Sequence, residues 1–314
     1  MEYEGRYTVG EIIRKLREQM GLSRAKLLDH GIDESTLVRI EKGSIKAPTY
    51  TTLEPILEKL GLDPLTDLRA IFDEDTIRVR GLKAQLNGFI ETQKLEDAQR
   101  VITELEGIEE HTKSIYNRQY ISYAKIAIAS YKADKIPADI RAMATKAIKL
   151  TIVNFKEEEI ENYLLSRTVM KLINIIAGMY FEEGNLKQAI AIMSSLKRNF
   201  EKNIIDESEI GKRYPKLMYH LAKYLTLDGQ HEKAIGMCDE VVDICKNTGQ
   251  LRYLPYMLST KASALYHLDR EDEAKLLLKQ TSVIFLAYNM HKERKMLNIY
   301  AKDNFGIDID SVLI

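Results

Sequence analysis

Three groups of side chains at helical spacing could hold another molecule. Lys171, Asn174 and Gly178 lie three and four residues apart, as do Lys216, Tyr219 and Lys223, and Tyr256, Ser259 and Ser263. On an α-helix each trio falls on one stripe. Such a stripe suits an extended peptide: the amide and hydroxyls can satisfy its main-chain groups, a lysine can meet a carboxylate, and Gly178 lets a backbone approach closely. The plainer alternative is a solvated polar surface.

Covalent chemistry finds no comparable support. The sequence has no Gly-x-Gly-x-x-Gly and no Gly-x-x-x-x-Gly-Lys-Ser/Thr string, so nucleotide chemistry is not expected. Its histidines, His30, His111, His220, His231, His267 and His291, lack metal-ligand spacing. His231 and His267 fall in turns and are expected to be exposed. Cys238 and Cys245 lie seven residues apart, on one helical stripe but too far apart for a disulfide, and read as small buried apolar side chains. Acidic runs at Glu157-Glu158-Glu159 and Asp206-Glu207-Ser208-Glu209 read as solvated helix starts. No catalytic residue, metal or cofactor is expected, and the chain is not read as an enzyme.

Composition narrows the partners. With 46 Lys and Arg against 47 Asp and Glu, the formal net charge of -1 gives no global attraction to nucleic acid or anionic lipid. A nucleic-acid partner must therefore be met by a local patch. No apolar stretch approaches a membrane span, and the N-terminus lacks a signal-peptide pattern, so a cytoplasmic protein with no membrane partner is expected. The longest apolar run, Val283 to Ala287, reads as core.

The positioning elements are helical throughout: proline and glycine are scarce, and apolar residues recur every three or four positions. Short segments stop at Gly21, Gly31, Gly43, Pro48 and Gly61 in the first 62 residues, and longer paired helices follow. Thr8 and Glu11 predict a capping box, with Val9, Ile12, Ile13 and Leu16 on the buried face. Ser23 and Asp33 predict the caps of a second and a third helix, and a fourth runs from Thr51 to Leu60. The boundaries predicted are a head over 1–64, a linker helix over 65–80, a body over 81–304 and a tail over 305–314.

The string Leu22-Ser23-Arg24, continued by Ser35-Thr36-Leu37-Val38-Arg39-Ile40-Glu41-Lys42-Gly43, resembles the helix-turn-helix of the Cro/C1 family. Arg24 stands where that family often has Gln. The resemblance implies that Arg24, Glu34, Ser35, Val38 and Arg39 sit near the DNA major groove, with Ser23, Lys42 and Lys46 near phosphates. Residues 8 to 46 carry eight Lys and Arg against six acids, a weak cationic excess for a lone DNA binder. Two heads on adjacent half-sites, and hence a homodimer, are expected. Glu34 is either a cytosine reader or a local repulsion.

The body repeats itself. Four strings, starting at Phe89, Tyr180, Leu225 and Leu265, run through a polar turn to Ala98, Ala189, Ala234 and Ala274, each nine positions on. Ala177, Ala222 and Ala262 recur three residues before the last three anchors. This is the turn grammar of tetratricopeptide repeats, where a small residue lets antiparallel helices approach. The alanine spacings of 91, 45 and 40 leave room for one divergent pair, supplied by Tyr116 to Ile152 with a break at Asp134 to Pro137. The expected fold is all-α: a helix-turn-helix domain followed by a right-handed superhelix of about five tetratricopeptide-like hairpins with a concave groove.

This combination resembles the RRNPP group of peptide-pheromone receptors of Gram-positive bacteria, in particular its PlcR-like and PrgX-like transcription factors. The resemblance implies a homodimer that binds operator DNA and is switched by a short signalling peptide in the groove. It matches Asn174 to an asparagine that holds the peptide backbone, and it puts His220 where a second such asparagine stands. The Rap branch of the group implies an alternative, a protein-interaction regulator whose head binds no DNA and serves instead as a helical scaffold that captures a signalling protein.

Overall fold

A computed structural model describes residues 8–28, 32–45, 48–61, 74–132, 139–202 and 207–309. It is all-helical, with no strand among those residues. The chain forms two compact units, Met1–His111 and Thr112–Ile314.

The first unit opens with the helix-turn-helix domain, comprising α1 (Val9–Gln19), α2 (Arg24–Leu27), α3 (Glu34–Glu41) and α4 (Tyr50–Lys59). The capping box forms as its spacing predicts: the Thr8 amide donates to Glu11 Oε2 at 2.7 Å, and the Glu11 amide donates to Thr8 Oγ1 at 3.3 Å. Asp33 Oδ1 accepts the Thr36 amide at 2.7 Å and caps α3. Ser23 occupies the cap position of α2 without a side-chain cap bond. Ile13, Leu27, Leu37, Ile40, Ile56 and Leu57 form the core. Gly10 is buried against α3, where a Cβ would come within 1.8 Å of the Ile40 carbonyl oxygen. Most of the predicted linker helix lies outside the described residues; positions from Glu74 belong to α5 (Glu74–Glu91), which pairs with α6 (Leu95–Thr112) through an Arg78–Glu104 ion pair of 2.7 Å.

The second unit stacks hairpins. They are α7 (Ile115–Lys132) with α8 (Ile140–Ile148), α9 (Arg167–Glu182) with α10 (Leu186–Lys202), α11 (Glu207–Leu227) with α12 (His231–Thr248), and α13 (Leu254–Tyr266) with α14 (Glu271–Ala287), followed by a last helix, α15 (His291–Phe305). With α5 and α6 there are five hairpins, and α7 with α8 supply the divergent pair. The expected break at Asp134 to Pro137 lies outside the described residues. In the second unit each hairpin packs on the next, through α8 on α9, α10 on α11 and α12 on α13.

The turns explain the repeat. Ala98, Ala189, Ala234 and Ala274 are fully buried, as are Ala177, Ala222 and Ala262. At each turn an amide reaches back to the anchor carbonyl: Lys94 to Phe89, Asn185 to Tyr180, Gln230 to Leu225 and Arg270 to Leu265, all at 2.8–3.0 Å. The residue before each amide, Gln93, Gly184, Gly229 or Asp269, has positive φ, as a Schellman helix end requires. The Met290 amide bonds the Phe285 carbonyl at 2.8 Å after a left-handed Asn289, so α14 and α15 are joined by a fifth turn of this kind. Sequence pattern missed it because Arg294 stands where the alanine would be.

Two smaller expectations are corrected. The run Val283 to Ala287 is not uniform core: Phe285 is buried, but Val283 and Leu286 are almost half exposed. The run Glu157-Glu158-Glu159 starts a 3-10 turn (Glu157–Asn162) and is solvated only in part: Glu158 is exposed, whereas Glu157 and Glu159 are half-buried. There Glu157 accepts the Tyr180 hydroxyl at 3.0 Å, and Asn199 Nδ2 donates to the carbonyls of Ile160 and Tyr163 at 3.1 and 2.7 Å.

Candidate DNA and peptide sites

In the helix-turn-helix domain, α3 presents Glu34, Ser35 and Arg39 to solvent, with Lys42 exposed just beyond its end and Val38 half-buried. Ser23 is exposed at the start of α2. Lys46 lies outside the described residues. The Ser35 hydroxyl donates to Asp33 Oδ1 at 2.6 Å, and that bond, with the Thr36 amide, holds the Asp33 carboxyl below its ordinary pKa.

Arg24 is half-buried because it is tied to the domain interior. Its Nε donates to Glu41 Oε2 at 2.8 Å, while Arg17 Nε donates to Glu41 Oε1 at 2.7 Å. Glu41 is almost fully buried. Burial alone would raise its pKa, but the hydrogen bonds and charges of the two arginines outweigh it and hold the carboxyl below its usual range. One buried carboxylate thus ties α3 to α1 and α2.

In the second unit the three predicted stripes diverge. Tyr219, Lys223, Tyr256, Ser259 and Ser263 line one cavity of about 420 Å³. Its remaining wall was not foreseen: Thr226 and Leu227 of α11, Thr260 of α13, Phe285 of α14, and Glu293, Met296, Leu297 and Tyr300 of α15. The last four recur at three, four and seven residues, a helical stripe legible in the sequence. Tyr219 and Tyr256 rings lie 5.6 Å apart, Phe285 stands edge-on to Tyr256 at 5.5 Å, and the Ser263 hydroxyl is hydrogen-bonded to that of Tyr300 at 2.9 Å.

Lys171, Asn174, Gly178, Lys216 and His220 are not in this cavity wall. Lys171 Nζ lies 4.9 Å from the Tyr123 ring centre and Lys223 Nζ 5.2 Å from that of Phe181, both cation–π contacts. Asn174 Oδ1 is buried and accepts no hydrogen bond. A Cβ on Gly178 would meet nothing within 4 Å, so open space lies beside it. His220 packs between Tyr219 and Tyr224, at 5.2 and 6.3 Å between ring centres. Burial, with the positive charges of Lys216 and Lys223, pushes its pKa down to about 4, so it is neutral at pH 7.

Among the described residues no cluster of potential metal ligands occurs, and no helix is long and apolar enough to cross a membrane. Cys238 and Cys245 are free and buried, and desolvation pushes the Cys238 thiol up to about 12. His267 is exposed as expected, but His231 is half-buried: the two rings stack at 5.0 Å, and His231 Nδ1 is buried with no partner.

Residues 13–66 match the family described as HTH_3, helix-turn-helix. No curated protein sequence matches the chain significantly. Among solved structures, the chain is similar to Bacillus thuringiensis PlcR in complex with the peptide PapR7 and DNA, at 19% identity and TM-score 0.72, covering 93% of this chain and 99% of that one. It is also similar to the Streptococcus dysgalactiae SHP pheromone receptor Rgg2, at 11% identity and TM-score 0.65 over 95% and 100% of the two chains. A third is ComR from S. thermophilus in complex with DNA and its signalling peptide ComS, at 14% identity and TM-score 0.56 over 92% and 97%. At these identities the likeness is one of fold, and the resemblance to peptide-pheromone receptors read from local strings extends to the architecture of nearly the whole chain.

Proposed function

We propose that the protein is a quorum-sensing transcriptional regulator that binds operator DNA as a homodimer and is switched by a short signalling peptide held by its repeat body. The observation that carries the peptide half is Asn174. A buried amide oxygen with no partner is a desolvated acceptor, and a ligand main-chain amide would satisfy it. The open space beside Gly178, one turn along α9, gives a ligand backbone room to approach. Lys171, Lys216, Tyr219, His220, Lys223, Tyr256, Ser259 and Ser263 extend the proposed peptide site, and no catalytic step is assigned to any of them.

The DNA half rests on the helix-turn-helix match and on the exposed Glu34, Ser35, Arg39 and Lys42. The PlcR and ComR structures hold both DNA and a peptide on the same fold, which supports a chain with both partners. Ser23, Arg24, Val38 and Lys46 complete the proposed DNA surface, with dimerisation supplying the second half-site.

The test is a DNA-binding assay on the region upstream of the gene, at stated salt, with and without short peptides encoded nearby. A footprint that shifts with one peptide, and loses that response in Asn174→Ala while the fold is kept, is the expected result. No footprint with any peptide, alongside tight capture of a signalling protein, would instead favour the Rap-like reading.

A further inference from the structure

The geometry points to a side-chain selectivity site at the C-terminal end of the second unit: the cavity between α11, α13, α14 and α15 takes a large aromatic side chain of an extended peptide, with an acidic group facing Lys223 and a basic group facing Glu293. This rests on the peptide-receptor reading and adds what the ligand must carry.

Size and wall chemistry set the central group. An apolar cavity of about 150 Å³ holds a benzene ring, so about 420 Å³ accommodates an aromatic side chain with the peptide units flanking it. Tyr219, Tyr256, Phe285 and Tyr300 contribute ring faces and edges to the wall, and Met296, well exposed, offers a thioether. Aromatic rings prefer such edge and offset contacts, and a thioether sulfur adds to them. The Ser263–Tyr300 hydrogen bond uses one of the two hydroxyl donors within the protein, leaving a single O–H in an otherwise aromatic part of the wall.

The flanking charges follow from two residues of opposite sign in the same wall. Lys223 and Glu293 both line the cavity, yet neither forms an ion pair with the other or with any other described residue. Lys223 Nζ stands over the Phe181 ring. A ligand that brings a carboxylate to one and a cation to the other completes two charge-assisted contacts. The reversed order meets like charge at both ends, so the pair selects both composition and direction. Glu293 and Tyr300 belong to α15, which lies beyond the four stacked hairpins of this unit, so selectivity is set by the terminal helix as well as by the repeats.

The sequence contains no tryptophan, so tryptophan emission reports the ligand alone. The probe is a positional-scanning heptapeptide library with tryptophan fixed at each position in turn, titrated against the full-length protein. The expected best pools have tryptophan flanked by an acid on one side and a base on the other. Glu293→Lys should turn the basic preference acidic, and Lys223→Glu the acidic one basic, each by about tenfold. Ser259→Phe, which fills the cavity without changing charge, should weaken the tryptophan pools at least about tenfold. Circular dichroism checks that each variant folds, and Glu293→Gln, which only removes a charge, serves if a reversal does not. If pools bind and lose affinity in Asn174→Ala, yet keep the same flanking preferences in the Glu293 and Lys223 variants, this inference is overturned and the peptide-receptor reading stands. If no pool binds at all, both fall.

Discussion

Arg24 Nε lies 2.8 Å from Glu41 Oε2, so a residue that the helix-turn-helix resemblance puts near the major groove is held by a carboxylate buried in the domain core. Only Nε is engaged; among the described residues its Nη groups donate to nothing. The fork therefore reaches solvent already oriented, and the entropy of ordering a long side chain is largely met before any phosphate arrives.

Breaking this arrangement from its two ends should give different results. Glu41→Gln leaves the buried Arg17 without its carboxylate and should cost about 3 kcal/mol, the range seen when one partner of a buried pair is lost. Arg24→Gln leaves Arg17 to neutralise Glu41 and should cost under about 1 kcal/mol, while still weakening DNA binding and flattening its salt dependence. Urea unfolding and binding at two salt concentrations separate the two effects.

The hairpin register is tested at Ala189, which is fully buried where α10 meets α9. Ala189→Leu should destabilise by about 1–3 kcal/mol through overpacking. A denaturation midpoint unchanged from wild type would mean the helices do not approach there.

At Gln93 the backbone sits at φ 56°, in the left-handed region where two of the four equivalent turns of the second unit have Gly184 and Gly229. Gln93→Gly should relieve roughly 1 kcal/mol of strain, less the greater flexibility glycine gives the unfolded chain. A rise in thermal midpoint is expected. The Ala counterpart of the same position should gain nothing.

His220 predicts a pH dependence with a definite sign. Its folded pKa of about 4 lies below the unfolded value near 6.5, so above that value neither state carries the proton and nothing is lost. As pH falls from about 6.5 to about 4, the unfolded chain takes up a proton that the folded one refuses, and stability declines by at most about 3 kcal/mol. Urea midpoints at pH 7 and pH 5 should converge in His220→Asn, which also supplies the amide that the receptor resemblance expects there.

What could be read beforehand follows contact range. The Thr8–Glu11 box and the buried alanines were legible because each depends on residues three to nine positions apart. The partnership of Glu41 with Arg17 and Arg24 spans 24 and 17 positions and leaves no periodic trace. The same holds for the cavity. The stripes on α11 and α13 could be found from spacing alone, whereas their meeting with Phe285 and Tyr300 depends on how successive helices pack. The turn before α15 was hidden by one substitution, Arg294 for a small residue, and Arg294 Nε there donates to Ser282 Oγ at 2.9 Å.

The serial packing of the second unit has a mechanical corollary. Because α8 leans on α9, α10 on α11 and α12 on α13, each hairpin is braced by the one ahead of it and the one behind it, as in a spring. Pulled from its ends, such a body should yield link by link, in a sawtooth of small ruptures, and recoil when the load is released.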